Sequence, residues 1–227
     1  MPVLFWIGLA LWLAVAPDPA HPAQPAPPGF FRAVARDDDA EVRVYLLRGA
    51  SVAARDEAGN PALVLAAAER SFKVLRTFLA IPGTEVDVVN PDDETALMYT
   101  ALHGNVEAAQ ELLEKGAQVN RTGWTPLHYA ATGGDLAMVR LLLEHHAYID
   151  AESPNRSTPL MMAARQRHEA VIRELIGAGA DPTGINEAGL GAADYAQRRG
   201  DAELARWIRA KSDEFNARYR TGGTVRR

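Results

Sequence analysis

The sequence predicts an all-α solenoid of stacked helix-turn-helix units. Three observations carry that expectation. The phrase Trp124-Thr125-Pro126-Leu127-His128-Tyr129-Ala130-Ala131 returns along the chain, with its leucine-equivalent positions at 63, 97, 127, 160 and 193 and steps of 34, 30, 33 and 33 residues. A second phrase keeps the same beat: Leu112-Leu113-Glu114-Lys115-Gly116-Ala117, then Leu142-Leu143-Glu144-His145-His146-Ala147, then Leu175-Ile176-Gly177-Ala178-Gly179-Ala180. Repetition at this period marks units that cannot bury a hydrophobic face alone and therefore stack. Hydrophobic content is 48% and is raised by alanine, as closely packed short helices require.

The local chemistry of the repeated phrase explains why it starts a helix. A Thr125 hydroxyl can cap a helix. Pro126 suits the first helical position, where its missing N–H costs nothing. Leu127, Ala130 and Ala131 share one helical face, and His128 is placed to bond back to the turn. Copies stand at Thr95-Ala96-Leu97-Met98 and Thr158-Pro159-Leu160-Met161-Met162-Ala163-Ala164. Looser ones stand at Pro61 to Ala67 and Gly191 to Ala196. A Thr-Pro-Leu-His-x-Ala phrase at a period near 33 resembles the ankyrin-repeat family, over roughly residues 29–213. The resemblance implies short β-hairpin-like finger loops between the helix pairs, and protein binding in place of catalysis. With the alanine- and arginine-rich composition and the N-terminus described next, it points to a bacterial, exported type.

Taken in order, the chain opens on an apolar run, Val3 to Val15, followed by Ala14-Val15-Ala16, a small-x-small cleavage pattern. A membrane span wants about 20 residues, so residues 1–16 are expected to be a secretory signal peptide. No Lys or Arg precedes the run and Pro17 follows it, which keeps an uncleaved membrane anchor as the alternative. Residues 17–28 hold six prolines and form an extended linker. The repeat domain, 29–215, divides at about 29–60, 61–94, 95–124, 125–157, 158–190 and 191–215.

The first repeat is degenerate and polar on one side, as an end repeat must be; its run Asp37-Asp38-Asp39 is expected to be solvated. In the second, Pro82-Gly83 replaces the usual helix-ending glycine. The third turns at His103-Gly104-Asn105, and only Arg121, Thr122, Gly123 and Trp124 separate Asn120 from Thr125, a finger clipped by about three residues. The fourth is the best match, with His146 where glycine is usual. In the fifth, Arg167-His168 replaces the glycine-containing turn, which is expected to be distorted. The sixth carries many charges and reads as the C-terminal cap. Residues 216–227 read as a basic disordered tail.

Composition and motifs exclude much chemistry. The chain has no cysteine, so thiolate chemistry and disulfides are out, and a formal charge of −5 gives no reason to expect nucleic acid. No phosphate loop, Gly-x-Ser-x-Gly or His-Glu-x-x-His is present, and His145-His146 lack a third ligand at a recognisable spacing. No catalytic, cofactor-binding or metal-binding residue is assigned and no cofactor is expected. An enzyme with an atypical site would draw on His103, His128 or the tyrosines. Tyr99, Tyr129 and Tyr195 share one repeat position and read as packing along the first helices with hydroxyls at the edge.

The resemblance implies that finger loops and first helices line a concave face that takes a protein partner. By position this assigns Asp92, Glu94, Arg121, Thr122 and Trp124 from the fingers. The first helices add Glu69, His103, Arg165, Gln166, Arg198 and Arg199. Trp124 reads equally as an anchor for the partner or as a lid over the shortened finger. Acidic residues early and arginines late make the face dipolar. The expectation is a monomeric, exported and periplasmic scaffold, accessory or inhibitor protein that binds an envelope protein; a membrane-anchored adaptor is the alternative.

Overall fold

The computed structural model describes residues 26–220, which form twelve helices in six antiparallel pairs. The pairs are α1 (Phe30–Ala35) with α2 (Asp39–Leu47), α3 (Ala62–Ala68) with α4 (Phe72–Leu79), and α5 (Ala96–Leu102) with α6 (Val106–Glu114). Then come α7 (Pro126–Gly133) with α8 (Leu136–Glu144), α9 (Pro159–Gln166) with α10 (Glu169–Gly177), and α11 (Ala192–Arg198) with α12 (Ala202–Arg220). The first helices pack on one another in one layer and the second helices in another. The expected leader and most of the proline-rich linker, residues 1–25, lie outside the described residues. Among the described residues no helix is long and apolar enough to cross a membrane.

The core runs between the two layers along the whole stack. Leu63, Leu97, Leu127 and Leu160 from the first helices are buried against Leu75, Leu112, Leu142 and Leu175 from the second. Alanines at 66, 67, 101, 130, 131, 163, 164 and 196 are likewise buried and let the first helices approach closely. At Gly133 even one methyl would be too many: a Cβ there would lie 2.2 Å from the Leu102 carbonyl oxygen.

The turn inside each pair has one geometry in spite of different residues. Asp37, Arg70, Gly104, Gly134, Arg167 and Gly200 all adopt the left-handed conformation. The Arg167-His168 turn is therefore regular, which corrects the expected distortion. Arg167 N–H donates to Ala164 O and His168 N–H to Ala163 O, as Gly104 and Asn105 do to Ala101 and Thr100. Neighbouring repeats hold the backbone in place, so an arginine is carried into a conformation that glycine adopts at less cost. His146 also takes the left-handed form, at φ 63°.

Polar side chains close the helix ends. Asp38, Asn105, Asp135 and Asp201 accept from amides three residues on, at 2.8–3.0 Å. Asp37 crosses to the next repeat and accepts from the Lys73 and Val74 amides at 2.9 and 3.0 Å. Ser71, at the cap position of that helix, makes no cap bond and its hydroxyl is buried without a partner. The aspartate run is thus a capping device for two helices, a correction to its reading as merely solvated.

The fingers are closed loops without strands; the only ladder contact among the described residues is an isolated bridge between Arg55 and Pro61. Four of them are shut by one amide-to-carbonyl bond each: Asp56 to Asn60, Asn90 to Glu94, Ser153 to Ser157 and Asn186 to Leu190. Side-chain oxygens then tie repeat to repeat. Asp87 accepts from Gln118 N–H at 2.9 Å, Asn120 from Tyr148 N–H at 2.7 Å and Asp150 from Asp181 N–H at 3.0 Å.

The C-terminal end corrects the expected tail. Helix α12 continues through residues 216–220, the last that are described; residues 221–227 lie outside the described part. Asn216 to Arg220 contain no Gly or Pro, and the breakers start only at Gly222. Phe215 and Tyr219, one turn apart, bring their rings to 4.5 Å. Further back, the Arg173 guanidinium lies 4.3 Å over Trp207 and ties the cap to the fifth repeat.

Candidate protein-binding face

The residues of the first helices that the core does not cover form three rows along the stack. Leu65, Tyr99, Tyr129, Met162 and Tyr195 are half-buried and apolar or aromatic. Ala68, Leu102 and Thr132 lead to exposed Arg165 and Arg198. Glu69, His103, Gly133, Gln166 and Arg199 follow at the helix ends. Of these, Glu69, Gly133, Arg165, Gln166, Arg198 and Arg199 are exposed.

The helix ends are cross-braced. His103 Nε2 bonds the Ala68 carbonyl at 3.0 Å, His168 Nε2 bonds the Thr132 carbonyl at 2.9 Å, and Arg199 Nε donates to the Arg165 carbonyl at 2.8 Å. Each brace satisfies a carbonyl that the preceding helix leaves open at its C-terminus. His103 therefore holds two repeats together and is only half-exposed.

Sequence reasoning missed a cluster at the base of the second finger. Glu94 accepts hydrogen bonds from both the Tyr99 and Tyr129 hydroxyls, and from Asn90 Nδ2 at 2.8 Å. Burial pushes the Glu94 carboxyl up, but the bonds from Tyr129, Tyr99 and Asn90 outweigh it and hold it below the usual carboxylate value. Burial, and then Glu94, push Tyr99 up to about 12 and raise Tyr129 as well. The cluster therefore holds one carboxylate and two neutral phenols at neutral pH. The available signal was the shared position of the two tyrosines together with an acid just before Thr95. Glu94 faces into this network, whereas Asp92 stays exposed on the loop. In the sixth repeat the Tyr195 hydroxyl accepts from Asn186 Nδ2 at 2.8 Å instead.

The clipped finger places Trp124 half-buried, its ring edge-on to His128 with centroids 5.2 Å apart. Arg121 is mostly covered and pairs with Asp93 at 3.0 Å, and Thr122 is exposed. His128 is 1% exposed. Its Nδ1 accepts from Thr125 N–H at 3.2 Å and Thr125 Oγ at 2.9 Å, so its Nε2 carries the proton donated to Ser157 O at 2.9 Å. Burial depresses its pKa, against the pull of the Ser157 and Ala151 carbonyls. With both nitrogens engaged, His128 fixes the turn and its neighbouring finger. Among the described residues no group of three or more His, Asp or Glu side chains is placed to hold a metal ion.

Comparison with known proteins agrees with this architecture. A family model described as ankyrin repeats (3 copies) matches residues 30–121 and 63–155, and a single ankyrin repeat model matches residues 155–187. Among similar proteins, the mouse B-cell lymphoma 3 protein homolog is 35% identical over 147 residues, 62% of this chain and 33% of that protein. The Xenopus tropicalis neurogenic locus notch homolog protein 1 is 34% identical over 116 residues, 49% of this chain and 5% of that one. The mouse protein fem-1 homolog A-like is 38% identical over 95 residues, 40% of this chain and 14% of that one. The chain thus spans a third or less of the length of these relatives.

Proposed function

The chain belongs to the ankyrin-repeat family, and from that premise we propose that it is a non-enzymatic protein-binding module. Its binding surface is the face of first helices and fingers, and its partner is a protein of the cell envelope. The observation that carries this reading is the pre-formed state of that face. Side-chain braces from His103, His168 and Arg199, and the Asp87, Asn120 and Asp150 ties, fix successive repeats relative to one another. A surface already ordered loses little conformational freedom on binding. Trp124 supplies an aromatic contact in the same finger as exposed Thr122. The apolar leader supports export to the periplasm of a bacterium, and a membrane-anchored adaptor would use the same face.

Affinity capture from envelope extract tests this, using the native chain, a Trp124→Ala/Thr122→Arg variant and an outer-helix control, Glu114→Arg. A partner held by the native chain and the control but lost by the finger variant supports the reading, provided the variant keeps its native thermal melt. Equal capture by all three overturns it. The mass of the mature N-terminus on the same sample tests export: a chain beginning near Pro17 supports it, and an intact Met1 in the membrane fraction favours the anchored form.

A further inference from the structure

The arginines of α4, α8 and α10 are neutralised. Arg76 pairs with Glu107 and Glu111, Arg140 meets Glu174 at 2.7 Å, and Arg173 pairs with Glu169 while covering Trp207. At the C-terminal ends of α9 and α11 the pattern changes. Arg165, Arg167, Arg198 and Arg199 are all exposed, and none forms an ion pair among the described residues.

The fold does not demand this concentration. At the positions of Arg165 and Gln166 or Arg198 and Arg199, the second to fourth repeats hold Ala68 and Glu69, Leu102 and His103, and Thr132 and Gly133. Nearby acids are committed elsewhere: Asp201 caps α12, Glu169 is paired with Arg173, and Glu203 lies in the first turn of α12, where the helix dipole favours it. The bond from Arg199 Nε to Arg165 O holds two of these arginines together against their mutual repulsion.

We propose that Arg165, Arg167, Arg198 and Arg199 form a docking site for an acidic, extended segment of the protein partner. The inference rests on the reading of this face as a protein-binding surface and adds the partner's chemistry. Guanidinium forks match carboxylates two bonds at a time. The cluster spans the C-terminal ends of α9 and α11 and the turn that leads into α10. Its exposed neighbours Gln166 and Gln197 are polar and offer nothing apolar to a lipid surface. Carboxylates spaced along a peptide fit four guanidiniums spread over two helix ends and a turn.

The test measures fluorescence anisotropy of a labelled oligoglutamate peptide on the full chain, with oligoglutamine as the neutral control. Oligoglutamate should bind, and more weakly as salt rises. Arg165→Ala/Arg198→Ala, two side chains that bond to no other described residue, should weaken it about tenfold with an unchanged melt. Arg48→Ala/Arg206→Ala, which removes the same charge elsewhere, should leave it unchanged. Equal losses in the two double variants, no binding of oligoglutamate, or preference for inorganic polyphosphate or anionic vesicles would each overturn the proposal. Capture that depends on Trp124 and not on the arginines would leave the protein-binding reading standing and remove this one. Cluster-dependent oligoglutamate binding without any envelope partner would do the reverse.

Discussion

The fourth and fifth repeats begin alike, with Thr125-Pro126-Leu127 and Thr158-Pro159-Leu160, and reach the same fold by different chemistry. The fourth uses His128 where the fifth has Met161, and Gly133-Gly134 where the fifth has Gln166-Arg167. It closes its second helix with left-handed His146, where the fifth uses Gly179. The residue at a left-handed position is thus exchanged between the repeats while the backbone is not. The stack sets the geometry, and each repeat tolerates one or two residues that would not choose it alone.

The largest expected effects should be equal in the two repeats. Leu127 and Leu160 are both buried between the layers. Leu127→Ala and Leu160→Ala should each cost about 3 kcal/mol, read from the urea midpoint followed by circular dichroism. A clear inequality would break the comparison by showing that one layer relaxes around its cavity more than the other. Gly133→Ala should then separate the repeats. Its methyl would strike the Leu102 carbonyl, so a loss of about 2 kcal/mol is expected, whereas exposed Gln166→Ala should change the midpoint little.

Much of this was legible in the sequence, because helix starts and buried leucines recur at one period. The periodicity could not show which turn residues would be forced into left-handed backbone. Arg167 looked like a break, since a local reading gives it the conformational cost without the neighbours that impose it. The candidate face was legible only as rows of positions. Register assigns Glu94 to that face, yet its carboxylate turns to Tyr99 and Tyr129, one of them 35 residues away. Such a cross-repeat bond leaves no trace in spacing. Residues 216–220 were misread because their charge resembled a tail, while the helix formers and the Phe215–Tyr219 pair decided the outcome.

The histidine in the fourth repeat sharpens the comparison by pH. His128→Met copies the fifth repeat and leaves the Ser157 carbonyl without its donor, which should cost about 1–2 kcal/mol at neutral pH. In the native chain burial depresses the His128 pKa, so the unfolded chain binds its proton more readily. The stability that neutral His128 provides is fully present above its ordinary value of 6.5 and is lost as pH falls from there through the lower folded value. Urea midpoints from pH 7.5 down to about pH 5 should therefore converge for the native chain and the variant. Parallel curves would show that His128 does not carry this pH dependence.

The smallest effects concern the left-handed positions, and they separate stability from binding. His146→Gly and Arg167→Gly should each stabilise the chain by about 1 kcal/mol, because glycine takes the conformation at less cost. Neither substitution removes a structural bond of the side chain: the contact to Asn120 uses the His146 carbonyl, and the turn at Arg167 uses backbone groups. The two variants should differ in one respect only. Arg167→Gly removes a charge from the arginine cluster and should weaken oligoglutamate binding, whereas His146→Gly should not. A strained arginine that stabilises nothing and binds nothing would leave no physical reason for its place in the turn. A rise in urea midpoint for both variants, with binding lost only at Arg167, would identify the strain as the cost of holding a fourth guanidinium at the site.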